Sequence, residues 1–246
     1  MGGNAYSSTG STGDGYEFAK KLGHTITPLA ASLHGFSILE KWPKRLSGLS
    51  FTNTKIKLIA SKIYETELPF LFTHSGVSGP GVFVLSALGA HENLKDKKLR
   101  LDFLSNVSYE NLKSRIETDI KAHPNKKFTN TIDILVQKSF ADAICIQVGV
   151  GLEKTNSQVS KKELNHTVEF LKNSEVTITG NIPGEEFVTA GGVSLDEIDN
   201  KTMQSKKCPG LYFAGEILDV DAFTGGFNLH AAWTTGRLAG ESALIS

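Results

Sequence analysis

One stretch near the end of the chain, from Gly210 to Gly240, constrains the fold more than any other. It reads GLYFAGEILDVDAFTGGFNLHAAWTTGRLAG: an apolar run, a loop carrying acids, a glycine pair and a helical pattern. LYFAG (Leu211 to Gly215) has the character of a short strand buried in a parallel sheet. Ligands of α/β sheets lie at the carboxyl ends of strands. There Gly215 permits close approach, and Glu216 and Asp219 offer acceptors to a polyol or ribose hydroxyl. Thr224-Gly225-Gly226 then turns the chain into a helix whose Leu229, Ala232, Trp233 and Gly236 share one side. Two glycines before a helix expose backbone N–H groups, and the helix dipole adds about half a positive charge there. That end suits an anion. An ordinary Gly-Gly turn accounts for the spacing equally well.

The beginning of the chain is a loop, GGNAYSSTGSTGDGY, with no strand before it. A helix is expected from about Asp14 to Leu22, flagged by Thr12 and Asp14 and stopped by Gly23 in a left-handed cap. GSTGDG (Gly10 to Gly15) is not a P-loop, since no Gly-Lys-Ser/Thr follows. Nor is it the G-x-G-x-x-G fingerprint, which needs a preceding strand. A flexible loop entering a helix is its simplest reading.

Between Leu46 and Gly180 the pattern turns to short strands. KIKLIAS (Lys55 to Ser61), ELPFLFTH (Glu67 to His74), LRLDF (Leu99 to Phe103) and EVTITG (Glu175 to Gly180) read as β. Helices interrupt them. Ser108 caps a pattern bearing Leu112, Ile116 and Ile120 that stops near Pro124. Ser160 and Glu163 form a capping box before Leu164, Val168 and Leu171. In THSGVSGPGVF (Thr73 to Phe83), Ser78-Gly79-Pro80 reads as cap and helix start.

His74, framed by glycine, serine and threonine, could titrate near neutral pH; a structural or merely exposed histidine beside a turn is the commoner case. His230 lies in the first turn of the last helix, where the dipole favours the neutral ring. The remaining histidines show no metal-ligand spacing, so no metal is assigned. There is no G-x-S-x-G elbow. Lysine plus arginine and aspartate plus glutamate both number 26, so no global field favours nucleic acid or an anionic membrane. Lys126-Lys127 and Lys161-Lys162 accordingly read as solvated faces. Cys145 and Cys208 sit far apart in dissimilar contexts, which argues for a reducing compartment. No apolar run approaches the roughly 20 residues of a membrane span. A cytoplasmic protein is expected, with no membrane or nucleic-acid partner.

The string VTAGGVSLDEIDNKTMQSKKCPGLYFAGEILDVDAFTGGFNLHAAWTTGRLAG (Val188 to Gly240) resembles the C-terminal signature of the BaiN-like flavoproteins. These are bacterial FAD-dependent proteins of the NAD(P)/FAD-dependent oxidoreductase or aminoacetone-oxidase-like kind. LFTHSGVSGP (Leu71 to Pro80) and TGSTGDGY (Thr9 to Tyr16) match two further blocks, so the resemblance covers nearly the whole chain. It implies a Rossmann-like FAD domain interrupted by an insert made of a β-barrel and a helical part. The FAD domain would take residues 1–35 and 184–246, and the insert residues 36–183 with its helical part at about 108–172. By position, Gly215, Glu216 and Asp219 would lie by the ribityl chain or pyrophosphate. Gly225, Gly226, Phe227 and Asn228 would face the flavin ring, and Thr12 and Gly13 would border the same cavity. His74 would serve on the substrate side.

The family's opening strand, G-x-G-x-x-G and ribose-binding acid are not in this sequence, so a partial Rossmann-like domain is expected. Two readings follow; a third, a nucleic-acid-binding barrel, has only the β content of the insert behind it and the neutral charge against it. In one, FAD passes hydride between NAD(P)H or a small organic substrate and its own ring. In the other, the chain is a truncated remnant or split subunit that binds FAD weakly or beside a complementary N-terminal chain. An uncovered apolar face would then promote self-association.

Overall fold

The computed structural model describes residues 2–52 and 54–244. In chain order the elements begin with α1 (Asp14–Lys21), β1 (Ala30–Ser32), β2 (Phe36–Ile38), β3 (Ser50–Phe51), β4 (Lys55–Ile59) and β5 (Ile63–Thr66). Then come β6 (Phe70–Phe72), β7 (Gly76–Ser78), α2 (Pro80–Leu88), β8 (Lys98–Asp102), α3 (Tyr109–Ala122) and α4 (Phe128–Ile132). The last are α5 (Lys138–Val148), α6 (Lys161–Asn173), β9 (Ser174–Asn181), β10 (Val188–Ala190) and α7 (Phe227–Ala243). The chain divides into two units. The first comprises Met1–Phe36, Val82–Leu94 and Gly180–Ser246; the second comprises Ser37–Gly81 and Lys95–Thr179. Residues 82–94, assigned to the insert from sequence, thus cluster with the first unit.

The second unit is built on regular ladders. The sheet runs β3-β6-β7-β2-β9-β8-β4-β5. Alternation decides its central register: Ile56 lies opposite Leu101 and Leu58 opposite Leu99, all buried, while Lys55 and Lys57 point outward to Glu65 at 3.1 and 3.0 Å. The expected β-barrel is not formed. The sheet is open, with β3 and β5 at its edges. Closure needs those edges to pair; β3 has two residues and pairs β6, and β5 pairs β4. Helices α3 to α6 form the helical excursion. Ser108 Oγ caps α3 by accepting from Asn111 N at 3.2 Å, and Ser160 with Glu163 completes the capping box of α6. An aromatic cluster fills the interior, with Phe103 and Phe140 ring centroids 4.6 Å apart and Phe51 stacked on Phe70 at 5.0 Å.

The first unit is stitched rather than laddered. Its one named pairing is antiparallel, β1 with β10, three residues each. Around it, Val193 bridges Ile26 antiparallel and Leu218 parallel. The core gathers Ala19, Val193, Ile198, Met203, Phe213, Leu218 and Ala239. Gly192 is what lets these segments meet: a Cβ there would lie 2.5 Å from Ile217 O, inside van der Waals contact. The LYFAG strand is not realised. Tyr212 makes a single bridge to Gln204, and Gly215–Ile217 is a 3₁₀ turn. A strand needs a neighbour's backbone groups, and here Leu211 O and Phe213 N are satisfied by the irregular loop, through Ser205 N and Met203 O. Phe213 is nonetheless buried.

Candidate functional site

The glycine-rich loop and α7 of the first unit frame a cleft of about 210 Å³, lined by Phe187, Val188, Gly215, Glu216, Asn228 and Ala232 among others. Gly215, which lines it, lies in the left-handed region at φ 77°, as do the two glycines that lead into α7, Gly225 at 126° and Gly226 at 84°. Gly226 is the N-cap of α7, where most side chains would be strained and none caps the helix. The first intrahelical bond there is His230 N to Gly226 O at 2.9 Å. Among the described residues, the N–H groups of Phe227, Asn228 and Leu229 therefore meet no acceptor in the chain. They present donors, backed by the helix dipole, to whatever enters from that side.

The loop is fixed from within. Asn228 uses both ends of its amide on Ala222, accepting from its N at 2.8 Å and donating to its O at 2.7 Å. Its side chain therefore holds the turn, leaving its backbone N–H for a ligand. Thr235 Oγ1 accepts from Gly215 N at 3.0 Å and donates to Ala231 O, tying the 3₁₀ turn to α7. Nothing in the sequence pattern marked Thr235 for this. Phe227, 60% exposed, lies beside the glycines, and a Cβ at Gly225 would touch its ring at 3.0 Å.

Glu216 is partly committed. Its Oε1 accepts from Thr189 N at 2.7 Å, and its carboxyl packs so closely on Gly3 that a Cβ there would sit 2.6 Å away. Among the described residues Oε2 accepts no hydrogen bond. Tyr16 on α1 donates to Glu216 O at 3.2 Å, and burial, then the nearby Glu216 charge, pushes its phenol up to about 12. Gly13, at φ 80°, is the left-handed N-cap of α1, and a Cβ there would lie 3.6 Å from Asn4 Oδ1. Asn4 N in turn donates to Thr189 Oγ1 at 2.7 Å. The structure thus links Gly13, Gly215, Glu216, Gly225, Gly226, Phe227 and Asn228 to one corner of the first unit. Thr12 is exposed beside it. Asp219 enters through its backbone, donating to Val193 O at 3.0 Å. His74 belongs to the second unit, where it is exposed in the turn between β6 and β7, which Thr73 Oγ1 closes by accepting from Gly76 N at 2.9 Å.

A polar chain escaped the sequence reading altogether. His24, buried, shares Nδ1 with Glu197 Oε2 at 3.1 Å and Nε2 with Ser205 Oγ at 2.9 Å. The spacing mimics a nucleophile triad. However, Ser205 is buried, and its Oγ already accepts from Lys207 N at 3.0 Å and Cys208 N at 2.8 Å. It is a staple holding the 195–208 loop to the end of α1. Its Glu197 is held down at about 2, first by the hydrogen bond from Lys207 Nζ. Among the described residues no cluster of His, Cys, Asp and Glu is arranged to hold a metal, both cysteines are free, and no helix is long and apolar enough to cross a membrane.

The HI0933-like protein Rossmann domain matches residues 1–242. A ribosomal RNA dihydrouridine synthase of Haemophilus influenzae is 31% identical over 237 residues, covering 95% of this chain and 56% of that protein. A 3-dehydro-bile acid delta(4,6)-reductase of Clostridium scindens is 28% identical over 249 residues, covering 98% and 60%. A second ribosomal RNA dihydrouridine synthase, from Escherichia coli, is 27% identical over 246 residues, covering 100% and 60%. The chain spans 56 to 60% of the length of these curated relatives. On the family match and these similarities, the chain belongs to the HI0933-like, BaiN-like family of FAD-dependent Rossmann flavoproteins.

Proposed function

We propose that this chain forms the flavin-facing part of a reductase that saturates a carbon–carbon double bond conjugated with a carbonyl. The carrying observation is the uncapped start of α7 behind Gly225-Gly226, with its free N–H donors on the rim of the cleft. The fit to FAD is chemical as well as spatial. An electron-rich ring edge or a phosphate meets backbone donors and a positive dipole end at Phe227 to Leu229. Gly215, Gly225 and Gly226 would let the cofactor approach the backbone closely. Phe187, Val188, Leu218 and Val220 would keep water from its apolar face. FAD, when bound, supplies the relay of two electrons from NAD(P)H, so that one hydride and one proton add across the double bond and NAD(P)+ leaves.

The relatives' names support this class of reaction. A dihydrouridine synthase and a delta(4,6)-reductase both act on a ring double bond, although on unrelated molecules. The decisive measurement is visible absorbance of the purified protein before and after FAD is added. A flavin spectrum that Gly226→Val abolishes, without loss of fold by circular dichroism, supports the proposal. A protein that stays colourless with FAD, alone and beside a complementary N-terminal flavoprotein fragment, overturns it.

A second reading has its own observation. Leu229 and Trp233 of α7 and Leu244 just past its end are 70, 81 and 89% exposed, whereas the helix packs through Leu238 and Ala239 and is tied to Gly215 by Thr235. These exposed side chains are therefore split from the packed face that the sequence pattern implied. An apolar stripe of this kind fits a docking partner, so the chain would hold FAD only beside a complementary chain or a second copy. Yellow colour appearing only in the mixture, or only in the oligomer, selects this version.

A further inference from the structure

A cavity of about 360 Å³ is built entirely from residues of the second unit. Three segments make most of its wall. Leu112 and Arg115 come from α3, Phe103 and Asn106 from the turn after β8, and Leu135 and Gln137 from the link between α4 and α5.

Each segment is held by the fold itself. Lys172 of α6, 9% exposed, donates to Leu104 O at 2.8 Å and to Val107 O, and its charge is met by Asp102 at 2.7 Å. This buried ammonium fixes the 104–107 turn. Leu135 N and Val136 N donate to Ile132 O, and Phe140 N and Ala141 N to Gln137 O, which anchors the link at both ends. Leu112 and Ile116, each 1% exposed, seat α3. The volume falls in the range of small-molecule sites. Walls that are already ordered spare a ligand the entropy of ordering them.

The charge of the cavity is one-sided. Among the described residues that line it, Arg115 alone is charged, and no acid stands opposite. The acid one turn along α3 is Asp119, and it is already taken. It accepts from Thr131 Oγ1 at 2.8 Å and pairs with His123 at 3.0 Å and Lys126 at 3.1 Å. Arg115 makes no ion pair among the described residues, and the side-chain amides of Asn106 and Gln137 make no hydrogen bond among them. Behind these polar groups the floor is apolar. Phe103 and Leu112 are buried, and the Phe51 ring, which also lines the cavity, packs on Phe103 at 4.9 Å.

We infer that this cavity binds a small organic carboxylate, its anion on Arg115 and its apolar body against Phe103, Leu112 and Leu135. A planar guanidinium offers two parallel N–H donors that match the two oxygens of a carboxylate. One cation also balances one negative charge, whereas a phosphate dianion would keep part of its charge uncompensated beside an apolar floor. The volume, near the lower end for such sites, suits one ring or a short chain. Asn106 and Gln137 offer amide groups to a further polar substituent. The inference goes beyond the reductase reading and does not need the flavin, since every residue it uses belongs to the second unit.

The test is isothermal titration calorimetry of the full chain with 4-phenylbutyrate, beside its neutral amide and inorganic phosphate. The acid is expected to bind with a dissociation constant of about 1 mM or tighter, as a ligand of that size allows. The amide is expected to bind at least about tenfold more weakly, having lost the charge-assisted bonds. Arg115→Gln, at an exposed position of α3, is expected to weaken the acid by about the same factor, to leave the amide unchanged and to keep native circular dichroism. Lys113→Gln, on the same helix but outside the cavity wall, is expected to change neither. Hydrogen exchange with the acid present should slow in residues 103–116 and 132–141. Wild-type protein that takes up no acid, or that binds acid and amide equally, overturns the inference. So do unchanged binding in Arg115→Gln, protection confined to the first unit, and phosphate that displaces the acid at equal concentration.

Discussion

The two units solve the same problem of satisfying backbone groups in opposite ways. In the second, ladders such as β4 with β8 and β5 pair five- and four-residue strands in register, and alternation buries Ile56, Leu58, Leu99 and Leu101. In the first, short bridges, 3₁₀ turns and left-handed glycines stitch segments distant in sequence around Val193. Regular ladders leave few donors unused, which makes a scaffold. Stitched loops leave donors and close approaches at chosen places, which suits a cofactor. The charges divide along the same line, acidic in the stitched unit and basic in the laddered one.

Substitutions aimed at one unit test whether the contrast is real. The largest effect is expected from Phe140→Ala, which empties the middle of the aromatic cluster and costs about 4 kcal/mol in chemical denaturation. Hydrogen exchange should then rise in β4 and β8. Gly192→Ala drives a Cβ into Ile217 O and should cost about 3 kcal/mol, with faster exchange around 190–220 and none in β4. Equal loss of protection in both units after either change would dissolve the distinction.

His24→Ala removes the centre of the staple and leaves buried Ser205 and Glu197 short of a partner, a loss of about 2 kcal/mol. Acid should separate the units more gently. Glu197 in the first and Glu163 in the second are both held at about 2, against an ordinary 4.5. For Glu163 the leading cause is the hydrogen bond from Lys154, as for Glu197 it is that from Lys207. A depressed folded value means the unfolded chain takes up the proton first. The stabilisation is therefore full above about pH 4.5 and lost as pH falls toward 2. Glu197→Gln and Glu163→Gln should each flatten that acid loss in their own unit, read by exchange at several pH values. The smallest effect belongs to Trp233→Ser, within about 0.5 kcal/mol, because the ring is 81% exposed. Its expected signature is a smaller oligomer by light scattering, and a stability loss of several kcal/mol would show the stripe to be packed after all.

Much of this was legible in sequence where the signal was local. The caps at Ser108 and Ser160, the alternation of KIKLI and KLRLD, the stop at Gly23 and the glycine pair before α7 are each set by residues within one turn or one strand. The chain fixed them through sterics and short-range hydrogen bonds. LYFAG misled because its apolar character specifies burial, which Phe213 achieves, but not a ladder, which depends on a neighbour. Barrel closure failed for the same reason, since it depends on the two edges rather than on any strand. The Gly192 approach to Ile217, the Glu216 contact with Gly3 and the His24 staple join residues that lie far apart in the chain, and no local pattern records such partners. Sequence determined the helix caps, the alternation of the longer strands and the glycine turns, because those choices are decided within a few bonds. Tertiary structure alone decided which charges and donors face one another, because electrostatic and hydrogen-bonding energies depend on distance in space.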